Sequence, residues 1–199
     1  MADEVARRLV HASGAVVPLL WVGNLLAWSE VRLVLVGGIA VTLVLEALRL
    51  LAGLEWVVFD KLTRAYEQDN LAGYALYVIG GSLVGLVFGP QVAVPAMLML
   101  TVGDPISGLL GSDELRTIKR PHVLVTMFAV CTALAYPFLP FAAVVAAATA
   151  ATVADGIKPV IRGYVIDDNL TIPVVASLAA YLALVGLGEV EAPVALVLG

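Results

Sequence analysis

Long apolar stretches alternate along the chain with short polar segments. The apolar stretches cover residues 9–28, 31–53, 71–89, 91–111, 122–139, 141–154 and 171–188. Most of them approach the roughly 20 residues that a helix needs to cross the hydrocarbon core of a bilayer. The pattern predicts an all-α fold, with residues 1–199 forming one integral membrane domain of about seven transmembrane helices. The short, alanine-rich 141–154 stretch is expected to pack among other helices rather than to face lipid.

Composition supports a membrane location and excludes one class of partner. Hydrophobic residues make up 61% of the chain, charged residues 14%, and the mean hydropathy is +1.01. A soluble domain of this length cannot bury that much apolar surface in its own core. The formal net charge of -5 argues against nucleic-acid binding, because proteins that bind nucleic acids usually carry a basic stripe.

The basic residues collect on one side when the apolar stretches are threaded alternately through a membrane. With the N-terminus inside, ten of the eleven Lys and Arg residues lie on the inner side, and Arg32 is the exception. The positive-inside rule then predicts a multi-pass protein of the cell membrane with a cytoplasmic N-terminus and an external C-terminus. Thirteen of the sixteen acids lie on the same side, which that rule does not explain.

Several of these acids fall within an apolar stretch or at its end. They are Glu46, Asp104, Asp155, Asp167 and Asp168. Ionisable side chains at membrane depth are costly and usually functional, so the acids of four stretches predict one shared site on the cytoplasmic side. Asp104 and Asp168 are therefore expected to lie close together. Beside Asp104, Pro105 lacks a backbone N–H, which predicts an interrupted helix that lines a cavity.

Carboxylates that converge on a helix N-terminus suit a hard cation such as Mg²⁺ bound to phosphate oxygens. Asn169 or Thr171 is expected to cap the seventh helix. Basic residues of the inner segments are either phosphate ligands or simply topology signals. They are Arg64, Arg116, Lys119, Arg120, Lys158 and Arg162.

Two pairs and one histidine admit two interpretations each. Glu46 and Arg49 share a helix face at i,i+3, either as site residues or as a buried ion pair that neutralises itself. Arg64 and Glu67 have the same spacing, in a segment whose apolar stripe over 54–62 predicts an interfacial helix. They are either site residues or a solvated surface pair. His11 is either a packing residue or a member of the site.

Small residues recur at i,i+4 spacing in two of the stretches, which lets membrane helices approach closely. We interpret them first as packing residues. They are Gly81, Gly85 and Gly89 in one stretch and Gly103, Ser107 and Gly111 in the other.

Four sequence segments, taken in their order along the chain, carry a resemblance to a known family. They read RRLVHASG at 7–14, LEALRL at 45–50 followed by RAYEQDNLAGYALYVIG at 64–80, VGDPISGLLG at 102–111, and IDDNLTIPVVAS at 166–177. With them the chain resembles the dolichol kinase and phytol kinase family of CTP-dependent polyprenol kinases, which is related to phosphatidate cytidylyltransferases. One segment departs from the family, because KRPHVL at 119–124 stands where its members have K-S-x-E-G-S.

The resemblance implies transfer of a phosphoryl group from CTP to the hydroxyl of an isoprenoid alcohol in the membrane. It adds Gly103 and Asn169 to the expected site. For the two charged pairs and for His11, it favours the interpretation as site residues. The implied site residues are His11, Glu46, Arg49, Arg64, Glu67, Gly103, Asp104, Asp168 and Asn169.

The expected mechanism relies on positioning and electrostatics, as phosphoryl transfer usually does. Asp104 and Asp168 would hold Mg²⁺ on the nucleotide phosphates, and Glu46 would accept the alcohol proton. Arg64, Lys119 and Arg120 would neutralise phosphate charge. One alternative is a cytidylyltransferase that joins CMP to a lipid phosphate. The other is a small ion-coupled transporter or scaffold, which would spread its acids through the depth of the membrane.

Overall fold

The computed structural model describes most of the chain, and in that part each predicted apolar stretch contains helix, although the first stretch, 9–28, is divided into two helices. The residues described are 2–53, 56, 63, 68, 70–111, 118–157, 160–161, 164–165 and 167–190. Within them the helices are α1 (Ala2–Ser13), α2 (Val16–Val22), α3 (Trp28–Leu50), α4 (Gly73–Val87), α5 (Pro90–Leu98), α6 (Asp104–Leu110), α7 (Pro121–Ala135), α8 (Phe141–Gly156) and α9 (Asp168–Gly186). The helical fold class is thereby confirmed.

Two irregular features accompany these helices. A π-helical turn, Met99–Gly103, joins α5 to α6. A minimal antiparallel ladder pairs β1 (Val160–Ile161) with β2 (Tyr164–Val165), just before α9. In the described part of the chain, three continuous helical segments are long and apolar enough to cross a membrane, by length and composition alone: α3, Pro90–Leu110 and α9.

The Pro90–Leu110 segment is the central helix of the described bundle. About 72% of its most apolar window is buried, against 22% for the window of α3. It packs against α4, α7 and α9, and Met99 and Leu100 are fully buried there. By contrast α3 leaves large apolar side chains such as Leu33 exposed along its outer face. An apolar outer surface over a buried central helix suits a lipid environment.

The alanine-rich helix α8 packs between α7 and α9, as its composition predicted. Ala143 and Ala151 are completely buried, because small side chains allow the neighbouring helices to approach closely. Phe141 and Val153 on its other side remain exposed. The Leu124 side chain lies so close to Gly156, at the end of α8, that a Cβ on this glycine would clash with it.

The glycine ridges are packing features only in part. Gly85 faces Leu35 of α3 and Met97 of α5, with no room for a Cβ beside Leu35, so the packing role is confirmed there. Gly103 faces Met127 and Cys131 of α7 at 3.3 and 3.4 Å. The packing interpretation is wrong for Gly89, whose surroundings are open within 4 Å. Gly89 instead precedes Pro90 as the N-cap of α5, where its extended backbone begins the helix.

Candidate functional site

Three carboxylates converge at one end of the bundle. Asp104 begins α6, Asp155 lies in the last turn of α8, and Asp168 begins α9. One carboxylate oxygen from each lies within 4.8 Å of the others. The predicted proximity of Asp104 and Asp168 is confirmed. Asp155 joins them, although sequence analysis gave it a place at the same level and no role.

The start of α9 sets the position of Asp168. The N-cap is Asp167, whose backbone is extended and whose side chain accepts a hydrogen bond from the Asn169 N–H at 2.9 Å. The prediction that Asn169 or Thr171 caps this helix is therefore wrong. Both residues already have helical neighbours on each side, whereas a cap must lie at the boundary. Asp168 consequently falls in the first turn, where it is only 5% exposed.

A π-helical turn places Asp104, and Pro105 explains its geometry. The Asp104 N–H donates to the Met99 carbonyl, five residues back. The next bond of this π-helical pattern would run from the backbone N–H of residue 105 to the Leu100 carbonyl, but Pro105 has no N–H. His11 Nε2 fills that position by donating to the Leu100 oxygen at 3.0 Å. The disturbance predicted at Pro105 takes the form of a π-helical turn within a segment that stays helical over Pro90–Leu110, and the cavity expected beside it stays a prediction.

His11 thereby lies beside the carboxylates. Its Nε2 is 3.6 Å from Asp104 Oδ2, and because a carbonyl only accepts, Nε2 carries the hydrogen. Tyr77 holds this part of α1 in place. Its hydroxyl donates to the His11 carbonyl at 2.8 Å, and the two rings pack edge to face with centroids 4.3 Å apart. His11 therefore combines the packing role with a place at the site.

Arg8 extends the basic side of the same helix toward the site. Its guanidinium lies directly over Gly108, so that any Cβ at this position would clash with it. Gly108 is one turn after Asp104 on α6. Arg8 was not among the expected site residues, and the signal that could have identified it is its i,i+3 spacing to His11.

Asp155 has two direct partners. Ser107 Oγ donates to its Oδ2 at 2.6 Å, and Lys119 Nζ lies 2.6 Å from its Oδ1. Lys119 Nζ also lies 3.1 Å from Ser107 Oγ, which closes a three-membered network. Ser107 was predicted to be a packing residue, yet its hydroxyl is part of the site. Lys119 was predicted to bind phosphate, and the structure pairs it with a carboxylate.

The backbone fixes Lys119 at the end of α8. Its N–H donates to the Gly156 carbonyl at 3.1 Å, and Ile118 forms a β-bridge with Ile157. The residue after Lys119 is Arg120, the exposed N-cap of α7. The segment 118–120 thus crosses the end of the bundle where the carboxylates meet.

Glu46 and Arg49 form the buried ion pair of the second interpretation. Arg49 Nε and Nη2 lie 3.0 and 2.7 Å from the two carboxylate oxygens of Glu46. The Tyr74 hydroxyl and the Ala72 N–H donate to the same carboxylate. Arg49 also donates to the carbonyls of Gln68 and Asn70. Both oxygens of Glu46 are occupied, and it is not part of the described carboxylate cluster, so the structure does not support it as a proton acceptor.

Some predicted residues lie outside the described part of the chain. Arg64, Glu67 and the predicted interfacial helix over 54–62 belong to this set, as do Arg116, Lys158 and Arg162. Among the described residues, Gly103 is buried in the π-helical turn, where Met127 and Cys131 close it off. It therefore shapes the central helix directly before Asp104.

The donor set of the cluster fits a hard divalent cation. Mg²⁺ prefers oxygen ligands, and three carboxylates supply them from three helices. Asn169, 9% exposed and next to Asp168, has a buried amide oxygen with no hydrogen-bond partner in the described structure. At about 5 Å and an effective dielectric of about 20, each pair of carboxylates repels by about 3 kcal/mol. Lys119 offsets part of that repulsion, and a divalent cation would offset more.

Comparisons with known proteins add no name to this arrangement. No protein-family model, curated protein or solved structure matches the chain. Its function is therefore inferred from the site and from the sequence segments quoted above.

Proposed function

We propose that the protein is a membrane-embedded lipid kinase that transfers a phosphoryl group from CTP to an isoprenoid alcohol. One observation carries the proposal: carboxylates from α6, α8 and α9 meet within 4.8 Å at one end of an apolar helical bundle. Such an oxygen-rich cluster suits a cation that binds nucleotide phosphates, and an apolar bundle suits an acceptor dissolved in the bilayer. The sequence segments that resemble polyprenol kinases, and that occur in the same order along the chain, suggest CTP as the donor and an isoprenoid alcohol as the acceptor.

Each described site residue has a role in this proposal. Asp104, Asp155 and Asp168 would hold Mg²⁺, which supplies charge stabilisation at the transferring phosphoryl group. Ser107 and Lys119 orient Asp155 through their contacts at 2.6 Å. His11 supports the π-helical turn that carries Asp104. Asn169 offers its amide oxygen as a further neutral ligand.

Arg120 supplies positive charge at the rim of the cluster. It is exposed and directly follows Lys119, which reaches the cluster itself. An exposed guanidinium there can bind a nucleotide phosphate through paired N–H donors. This residue keeps the phosphate-binding role expected from the sequence.

The proposal includes seven spans with the N-terminus in the cytoplasm. Arg32, the one basic residue on the predicted outer side, is compatible with this topology. It donates to the carbonyls of Gly85 and Phe88 at 3.2 and 3.3 Å, so it satisfies the C-terminal end of α4. A helix-capping arginine does not count against the positive-inside rule. Reporter fusions after residues 70, 120 and 165 should all report the cytoplasm, and an outside signal from any of them would refute the topology.

The function is tested with purified protein in lipid nanodiscs. Labelled CTP or ATP is added with Mg²⁺ and a panel of isoprenoid alcohols and lipid phosphates. The proposal requires a lipid monophosphate and a nucleoside diphosphate as products. Asp104→Asn and Asp168→Asn should each lower turnover by at least about a thousandfold, because each removes a charge that stabilises the transition state.

Glu189→Gln is the control for these variants. It removes one carboxylate from an exposed position beyond the opposite end of α9. All three proteins should remain folded and inserted, as judged by their elution as a single species. Turnover by Asp104→Asn equal to that of the control would make Asp104 a structural residue and remove the centre of the mechanism.

The two alternatives give different results in the same assay. A cytidylyltransferase would release pyrophosphate and form a CDP-lipid from a lipid phosphate, using the same cation and nucleotide. An ion-coupled transporter would turn over no nucleotide. It would also need acids at several depths, whereas the described cluster gathers three at one end of the bundle. The clustering favours the enzyme.

A further inference from the structure

An open apolar cleft runs between α8 and α9 on the outside of the bundle. Its volume is about 440 Å³. This size lies within the range of roughly 300–1,000 Å³ that is usual for small-molecule sites. The walls are almost wholly apolar, and the residues that line them are Ala150, Val153, Ala154, Ile157, Thr171 and Val175.

Two lining residues of the cleft are close along their helices to carboxylates of the cluster, although those carboxylates do not themselves line the cleft. Ala154 directly precedes Asp155 on α8, and Thr171 is three residues after Asp168 on α9. Ala150, four residues before Ala154, and Val175, four residues after Thr171, lie further from the acids, whereas Ile157 lies on the other side of Asp155. Four residues of helix correspond to about 6 Å of rise, so the cleft extends away from the acids along both helices. Thr171, the one lining residue with a polar side chain, lies one turn after Asp168, and its hydroxyl donates to the Asp167 carbonyl at 3.3 Å.

This arrangement selects a hydrocarbon chain with a polar head. A nucleotide would have to lay charged phosphates or polar base edges against apolar walls, where they would lose hydration without compensation. A hydrocarbon chain gains by leaving water or by packing against such walls. Because α9 is long and apolar enough to cross a membrane, its open side gives a bilayer lipid lateral access.

We propose that the cleft between α8 and α9 holds the proximal part of the acceptor's isoprenoid chain and delivers its hydroxyl to the carboxylate cluster. The inference rests on the proposed function, since it takes the acceptor to be a lipid alcohol. It adds the location of the chain and the residues that determine which chains fit. Ala150 and Val175 would form the far wall and so limit the bulk of the chain at that depth.

Photolabelling of the unmodified protein tests the location without requiring turnover. An isoprenoid alcohol with a diazirine in its second isoprene unit is irradiated with the protein in nanodiscs, and labelled peptides are identified by mass spectrometry. Labels should fall on α8 and α9 at the lining positions and should decrease when unlabelled alcohol competes. Labels confined to α3 or other outer faces would overturn the proposal. Chain-to-chain cross-links through α8 and α9 that block labelling would show a second copy as the occupant.

A matched pair of variants tests the far wall. Ala150→Trp fills the cleft, whereas Ala142→Trp makes the same change at an exposed alanine in the first turn of α8, outside the lining. Ala150→Trp should raise the KM for a long isoprenoid alcohol by about tenfold, the effect of roughly two methylene groups that are no longer buried. The KM for the nucleotide should stay within about twofold, since its site is unchanged. Equal KM values in the two variants would refute the assignment.

The outcomes separate this inference from the function itself. If isoprenoid alcohols are phosphorylated but labels fall outside α8 and α9, the kinase function is supported and the proposed role of the cleft is refuted. If labels on α8 and α9 decrease on competition but no alcohol is phosphorylated, the cleft is a lipid-binding groove and the kinase function is refuted. Val175→Trp repeats the kinetic test from the facing helix if Ala150→Trp does not fold.

Discussion

Gly80 controls how closely α4 approaches the first turn of α9. A Cβ on Gly80 would lie 2.7 Å from the Asn169 carbonyl oxygen, 3.1 Å from Leu170 Cα and 3.2 Å from Pro173 Cγ. Ordinary contacts begin at 3.4 Å, so the first distance is 0.7 Å too short. Backbone atoms and a proline ring cannot rotate away as a flexible side chain does. Gly80→Ala must therefore push the start of α9, and Asp168 with it, away from α4.

The expected cost follows from that displacement. Overpacking of this kind usually costs about 1–3 kcal/mol. Replacing glycine by alanine within a helix returns about 1 kcal/mol. The net loss of stability should therefore be small, at most about 2 kcal/mol. Catalysis should suffer more, because a displacement approaching 1 Å at a reacting centre lowers rates by about a hundredfold.

Gly81→Ala is the matched control for this prediction. The two glycines are adjacent on α4, and a Cβ on Gly81 meets only Leu100 Cδ2, at 3.9 Å. Both variants gain the same helix propensity, so any difference between them measures the contact with α9. The measurements are the midpoint of thermal unfolding in detergent and the turnover of lipid alcohol with CTP. Equal midpoints and equal turnover in the two variants would show that α9 does not depend on this close approach.

Two further predictions concern the charged networks. Glu46→Gln should lower the free energy of unfolding by about 3 kcal/mol, because it breaks a largely buried ion pair by removing the carboxylate charge 2.7 Å from Arg49 Nη2, whereas a proton-accepting role would lower kcat without lowering stability. Lys119→Met should lower the unfolding midpoint without divalent cations and should bind Mn²⁺ more tightly than the unmodified protein, since a competing positive charge beside Asp155 is gone. Unchanged Mn²⁺ affinity in a titration of Lys119→Met would separate Lys119 from the metal site.

The helical framework could be predicted because a membrane helix can be recognised from a local stretch of apolar sequence. Most of the apolar stretches are long, and helix ends carry ordinary signals such as Pro90 and Pro121 at the first turn. Hydropathy does not fix how far each stretch crosses a bilayer. Within the described residues, three helical segments reach the necessary length and composition. The first stretch is divided near Gly14, where the Tyr77 hydroxyl leaves no room for a side chain. That break depends on a contact with α4, which the local sequence cannot show.

The sequence could predict that the acids of the site lie at one depth in the membrane, but it could not predict which side chains contact one another. Asp104 and Asp168 were expected together because both are acids at inner helix ends. The choice between Glu46 and Asp155 as a further member depended on which partners each side chain finds. Glu46 finds Arg49 three residues away, whereas Asp155 finds Lys119 at a separation of 36 residues. The first pairing is local and the second is tertiary, so local spacing offers no means of ranking them.

The partners of Asp155 follow from where it stands on its helix. Asp168 lies in the first turn of α9, where the helix dipole favours a negative charge, by about 0.3–1 kcal/mol for exposed groups. Asp155 lies in the last turn of α8, where the same dipole disfavours it, and it is completely buried. Ser107 and Lys119 compensate for this unfavourable position. A neutral residue there would need neither partner, so a buried acid at the end of α8 carries an electrostatic cost that the proposed role as a cation ligand would explain.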